Sequence, residues 1–202
     1  MAVTNAISNV SNGMITVMIL LYLNRQVGFA PGVLGMIFAV GGLTSLAGSA
    51  TARKWSWFGG FGPALVLAGV IRSFGLILVP LAASVSAVAV VLLVLSQFIT
   101  DPAWSFYEIN VVSLRQSITP AGLLGRMNAS MRCLDLGAML AGSFAAGILG
   151  ESIGFRETLF AAVGVRLISV LWLALSPIAR LRVMPEGIEM PAAEAVIPLA
   201  DA

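Results

Sequence analysis

Long apolar runs separated by short polar breaks dominate this chain. A helix needs about 20 apolar residues to cross the hydrocarbon of a bilayer. Six segments meet that requirement, at about 3–23, 33–51, 63–81, 86–107, 127–149 and 157–178. The breaks carry the residues that end helices: Gly28, Pro31, Gly59, Gly60, Gly62, Pro63, Gly154 and Pro177 lie at or near the span ends. The pattern predicts an all-α polytopic membrane protein with six transmembrane helices in a bundle over residues 1–182, divided three plus three. Residues 183–202 hold Glu186, Glu189, Glu194 and Asp201, three prolines and no cation. Such a segment buries too little to order itself, and it is expected to be a disordered cytoplasmic tail.

Composition narrows the class. Of 202 residues, 59% are hydrophobic and 10% charged, and the mean hydropathy is +1.00. Soluble domains carry about 25% charged residues, so the lipid bilayer is the expected main partner. A net charge of +2 without any block of like charges argues against nucleic acid. The chain has no His and a single Cys, Cys133, so neither an internal disulfide nor a metal site is expected. No cofactor is expected either. Met1–Leu23 lacks a basic leading region and contains Asn5, Asn9 and Asn12, so it reads as a span and not as a cleaved signal.

Orientation rests on the cations. The stretch Ser113–Arg132 (SLRQSITPAGLLGRMNASMR) is the longest central run that does not read as membrane-spanning; it reads as a short, turn-rich cytoplasmic loop. With alternating spans, Arg53, Lys54, Arg115, Arg126, Arg132, Arg180 and Arg182 fall on one side, and only Arg25 and Arg156 on the other. Lys and Arg resist translocation, which places the first side and both termini in the cytoplasm.

Two spans carry faces of distinct chemistry. Asn5, Asn9, Asn12 and Thr16 are spaced by four, three and four, and so line one side of the first helix, with Ser8 beside them. Amides in hydrocarbon are costly unless satisfied. The stripe serves either as glue between helices or as the wall of a water-filled substrate cavity, and three amides on one line favour the cavity. The fifth span repeats small residues at Ala138, Gly142, Ala146 and Gly150, and the second at Gly41, Ser45 and Ser49. Both are packing faces that let a neighbouring helix come close.

Four charges fall within spans: Arg72, Asp101, Asp135 and Arg166. Each costs about 2.5–3.5 kcal/mol near a helix centre, so pairing is expected. Depth at about 1.5 Å per residue brings Arg72 level with Asp101 across one hairpin, and Asp135 level with Arg166 across the last. Asp101 precedes Pro102, which frees a carbonyl one turn back. Trp104 and Glu108 follow on its face, Glu108 at i+7. A carboxylate in such a setting suits proton coupling, whereas a pairing with Arg72 opposes it.

The central stretch also carries a likeness. Ser113-Leu114-Arg115-Gln116, Thr119-Pro120 and Leu124-Gly125-Arg126, followed by GILGESIGFRETL and LWLALSPIARLR, resemble the major facilitator superfamily. More narrowly, they are similar to the C-terminal half of bacterial exporters grouped with the enterobactin exporter and transmembrane secretion effectors. Arg53-Lys54 stands in the place of a short basic loop of that half. Glu108 and Arg166 depart from the family pattern. The resemblance implies efflux of a small organic molecule across the cell inner (plasma) membrane, driven by proton antiport. It also implies that the first and fourth helices face a cavity whose other wall is an N-terminal half. A homodimer is the alternative way to cover that face. Competing readings are a truncated, transport-inactive bundle that needs a partner half, and an intramembrane enzyme. The enzyme fares worst, because no His or Gly-x-Gly-Asp run is present and only Asp101 with Asp135 could form a catalytic pair.

The cation asymmetry generates a direct test. In a Cys133→Ser background, Gly122→Cys is expected to react with an impermeant maleimide only from the cytoplasmic side, and Gly154→Cys only from outside. Labelling of position 122 from outside would refute the six-span scheme.

Overall fold

The computed structural model describes residues 2–51 and 59–183. Its helices are α1 (Ala2–Leu21, continued by a π-helical turn over Tyr22–Val27), α2 (Pro31–Thr51), α3 (Phe61–Leu81), α4 (Ala87–Ser117), α5 (Leu124–Ser152) and α6 (Phe155–Leu175). All six are long and apolar enough to cross a membrane, and no strand occurs among the described residues. The expected tail falls, apart from Val183, outside the described residues, as do Arg53 and Lys54.

Local chemistry sets the ends. Gly28, at φ 93°, adopts the left-handed conformation that closes the π-helical turn, and its N–H bonds to the Leu23 carbonyl. Ser86 caps α4 by accepting from the Ala89 N–H at 3.2 Å. The one large boundary difference is central. Ser113–Arg132 is not an extended loop: α4 runs on to Ser117, and α5 begins at Leu124. Apart from Gly122, Gly125 and Pro120, the stretch consists of residues that tolerate helix, so both helices continue beyond the apolar spans. Pro120 is the breaker. Thr119 donates to the Arg115 carbonyl at 2.7 Å, and a short 3₁₀ turn at Ala121–Leu123 leads into α5.

Neighbour relations follow a simple rule. α1 packs on α5 and α6, α4 packs on α2 and α3, and α3 meets α6. Exchanging each of the first three helices for its counterpart in the second three leaves these pairings unchanged, whereas a lesser α5–α6 contact has no comparable α2–α3 counterpart among the described residues. The three-plus-three division therefore exists in the packing, although the two sets share no clear residue pattern.

Two of the closest approaches use glycine. A Cβ at Gly13 would collide with the Met139 carbonyl, and one at Gly142 with the Val10 carbonyl, so α1 and α5 touch backbone to backbone. The related pair α2–α4 does the same at Gly48, over the Cα of Pro102, and adds a hydroxyl pair between Ser45 and Ser105 at 2.6 Å. Gly142, Ala146 and Gly150 of the small-residue face are buried, and Met18 of α1 lies over Gly150. Outside the bundle, Leu140, Phe144 and Ile148 of α5 and Met36, Leu43 and Leu46 of α2 are exposed, as a lipid-facing surface requires.

Buried apolar side chains form two clusters. One, around Met18, Tyr22, Leu34, Leu93 and Leu159, lies toward the end that carries Gly28 and Gly154. The other, around Phe61, Leu65, Phe106 and Leu173, lies toward the end that carries Thr119. The polar groups occupy the layer between them.

Replacing Gly142 by Leu is expected to force α1 and α5 apart and to cost about 1–3 kcal/mol or more, as overpacking does. Gly147→Leu, on the same helix with open space around it, should leave stability nearly unchanged. Thermal unfolding of the purified variants in mild detergent distinguishes them, and equal stability would show that the close approach is not required.

A polar cavity between the first and fourth helices

α1 and α4 stand across from one another with little direct contact, since each packs on other helices. Between them lies a cavity of about 400 Å³. α1 contributes Asn9, Asn12, Ile15, Thr16 and Ile19; α4 contributes Gln97, Thr100, Asp101 and Trp104. Arg72 and Leu76 of α3 and Met139 of α5 complete the lining. Thr16 and Trp104 are exposed, so the cavity opens at the surface of the bundle.

The amide stripe of α1 is a hydrogen-bonded chain. Asn9 donates its amide N–H to Asp135 Oδ1 at 2.9 Å and to the Asn5 main-chain carbonyl at 3.1 Å. Asn12 donates to Asn9 Oδ1 at 3.3 Å. The Asn12 oxygen in turn accepts from Arg72 at 2.9 Å and from Arg166. Two amides thus connect a carboxylate on α5 to guanidinium groups on α3 and α6. An amide both donates and accepts, so it can satisfy charges of opposite sign at its two ends.

This arrangement revises the expected ion pairs. Arg72 does not hydrogen-bond Asp101, and Arg166 does not hydrogen-bond Asp135. Matched depth was a sound inference, but depth does not fix azimuth, and the asparagines of α1 lie between the charges. The nearest hydroxyl, Thr100, gives its proton to the Ser96 carbonyl at 2.8 Å and lies 3.4 Å from Asp101 Oδ1. The other Asp101 oxygen lies against Gly41 of α2, beside the Gln97 amide. Arg72 also places its guanidinium 5.7 Å from the centre of the Trp104 ring, within cation–π range.

The remaining expected residues divide. Asn5 is buried and does not line the cavity. Glu108 is half-buried, two turns along α4 from Asp101, and is also outside the lining. Arg115 and Gln116 lie on the last turn of α4, and Gly125 and Arg126 on the exposed first turn of α5, all remote from the cavity.

Gln97 and Thr100 were not anticipated. Gln97 precedes Asp101 by four residues and Trp104 by seven, so following the Asp101 face one turn back would have found it. A second polar seam was also missed. Ser8 pairs with Ser169 at 2.5 Å, and Ser11 donates to the Ala162 carbonyl at 2.7 Å, fastening α1 to α6. Beside this seam is a hole of about 10 Å³, the size of one water, bordered by Thr4, Ser8, Tyr107 and both arginines.

Compared with protein-family models, with curated proteins and with solved structures, the chain matches none.

The amide chain makes Asn12 its least replaceable member. Asn12→Ala removes the acceptor shared by the buried Arg166 and the half-buried Arg72, and is expected to cost about 1–3 kcal/mol for each buried group left unpaired. Asn5→Ala should cost less, because only the main chain of Asn5 takes part. Detergent unfolding midpoints test the order, and equal losses would remove Asn12 from its central place.

Proposed function

We propose that this protein is a membrane transporter, or the C-terminal half of one, of the major facilitator type, and that it carries out secondary active efflux of a small organic molecule with proton antiport. The observation that carries the reading is the open cavity within a six-helix bundle, with charged and amide side chains of α1, α3 and α4 at its wall. A volume of about 400 Å³ falls within the range of small-molecule sites, about 300–1,000 Å³. The exchange symmetry of the helix neighbours supports it, since repeats of three helices recur in transporters with the site at their junction. Asp101 is the proton-carrying candidate: it lines the cavity and has no cation hydrogen-bonded to it.

In this reading a second set of helices covers the open side, either an N-terminal half or a second copy of the chain. The exposure of Thr16 and Trp104 at the cavity favours such a cover, because polar groups left against lipid are unsatisfied. The same exposure supports the second reading, a transport-inactive bundle that awaits its partner half. We place the protein in the inner (plasma) membrane with both termini in the cytoplasm, from the cation asymmetry.

Reconstituted vesicles loaded with a pH dye separate the readings. Ethidium, p-toluenesulfonate and glucose serve as cationic, anionic and neutral probes under an imposed proton gradient. At least one is expected to move against its own gradient, and Asp101→Asn should abolish that uphill movement while leaving downhill exchange. A folded protein that moves none of them and no protons leaves the inactive bundle. The mass of the particle in mild detergent is expected to be that of a dimer when no other half is supplied.

A further inference from the structure

Arg72 and Arg166 come from different helices, yet they share a single acceptor, the Asn12 amide oxygen. Arg166 is 3% exposed, and its Nε–H has no partner. Arg72 and Arg166 carry like charge and repel one another across that shared acceptor. Two guanidinium groups offer far more N–H donors than one amide oxygen can accept. A carboxylate would be the ordinary remedy, but the acids nearby are directed elsewhere. Asp135 accepts from Asn9, and neither Asp101 nor Glu108 hydrogen-bonds either arginine, so these carboxylates attract the guanidinium groups only across a distance. Two guanidinium groups therefore stand together on one side of a cavity that opens to the surface, Arg72 in its lining and Arg166 behind it, with Asp101 in the same lining.

We propose that this wall binds the carboxylate of an organic monocarboxylate. The inference deepens the transporter reading above and rests on its cavity. Arg72, which lines the cavity, makes the direct contact, and Arg166 behind Asn12 strengthens the attraction. The planar fork of a guanidinium matches a carboxylate in a two-bonded geometry. Trp104, Ile15, Leu76 and Met139 supply an apolar wall for the rest of the molecule. Charge selects a monoanion, because Asp101 in the same cavity and Glu108 farther along α4 repel a second negative group. An organic amine fits less well: Asp101 attracts it, but two arginines oppose it.

The test is calorimetric titration of the full chain in mild detergent, with benzoate as the probe and benzylammonium and benzyl alcohol as controls. Benzoate is expected to bind at least tenfold more tightly than either control. Arg72→Gln should weaken it at least tenfold. Asn12→Asp places a carboxylate of the protein between the two guanidinium groups; it should keep the fold, read by its unfolding midpoint, and also weaken benzoate at least tenfold. Asp101→Asn, which removes the opposing charge, should tighten benzoate severalfold. If Arg72→Gln does not fold, the Asn12 and Asp101 variants decide. Folded wild-type protein that binds no benzoate overturns the proposal, as does benzylammonium binding equally well or an Asn12→Asp variant that binds benzoate unchanged. Binding is read without flux, so a chain that binds benzoate but moves no probe supports this site and counts against transport. Flux of a probe without benzoate binding does the reverse.

Discussion

At the middle of the bundle, one amide oxygen holds two cations. Arg72 on α3 and Arg166 on α6 are both fastened to Asn12 on α1, and through Asn9 the same line reaches Asp135 on α5. Four helices thereby meet at a single polar chain in a layer where water is scarce. A charge at such depth is costly unless its donors or acceptors are engaged. Here only the Arg166 Nε–H is left without a partner among the buried guanidinium nitrogens of Arg72 and Arg166. The chain engages charges of both signs without bringing them into contact. Its cost is two guanidinium groups held close together, Arg72 in the cavity lining and Arg166 behind it, and with Asp101 in the same lining they give the cavity its chemical character.

Packing around this layer comes from residues at opposite extremes of size. Glycines at 13 and 142 bring α1 onto α5, and Gly48 brings α2 onto the Pro102 turn of α4. Large apolar side chains fill the two clusters above and below. In a bilayer the apolar surface has no water to escape from, so close backbone approach and polar seams carry helix association. The Ser8–Ser169 and Ser45–Ser105 hydroxyl pairs are such seams. α1 and α4 take part in these contacts on one side only, which leaves their other faces free to border the cavity.

Pro102 gives α4 a second function. A proline within a helix removes one backbone hydrogen bond. Here it lies where Gly48 lets α2 come against the Pro102 backbone. Asp101 lies between Gly41 of α2 and the cavity, and Trp104 borders the opening.

How much of this was legible beforehand depends on the range of the interaction. Hydropathy along the chain determined the six helices, because span length is a property of consecutive residues. The periodic placement of Asn9, Asn12 and Thr16 put them on one face, and the spacing of Asp101 and Trp104 did the same on α4; both faces border the cavity. The small-residue face of α5 was likewise readable. The partners of Arg72 and Arg166 were not. Depth in the membrane follows from sequence position, but rotation about each helix axis and the order of helices around the bundle are set by packing among distant residues. Those decided that two arginines meet one amide, that Asp135 lies on Asn9, and that Asn5 and Glu108 fall outside the lining. The reach of α4 and α5 past their apolar spans was also hidden, because polar helical turns and polar loops share the same composition. Only the tertiary structure separates them, through the Pro120 turn and the pairing of helices on either side of it.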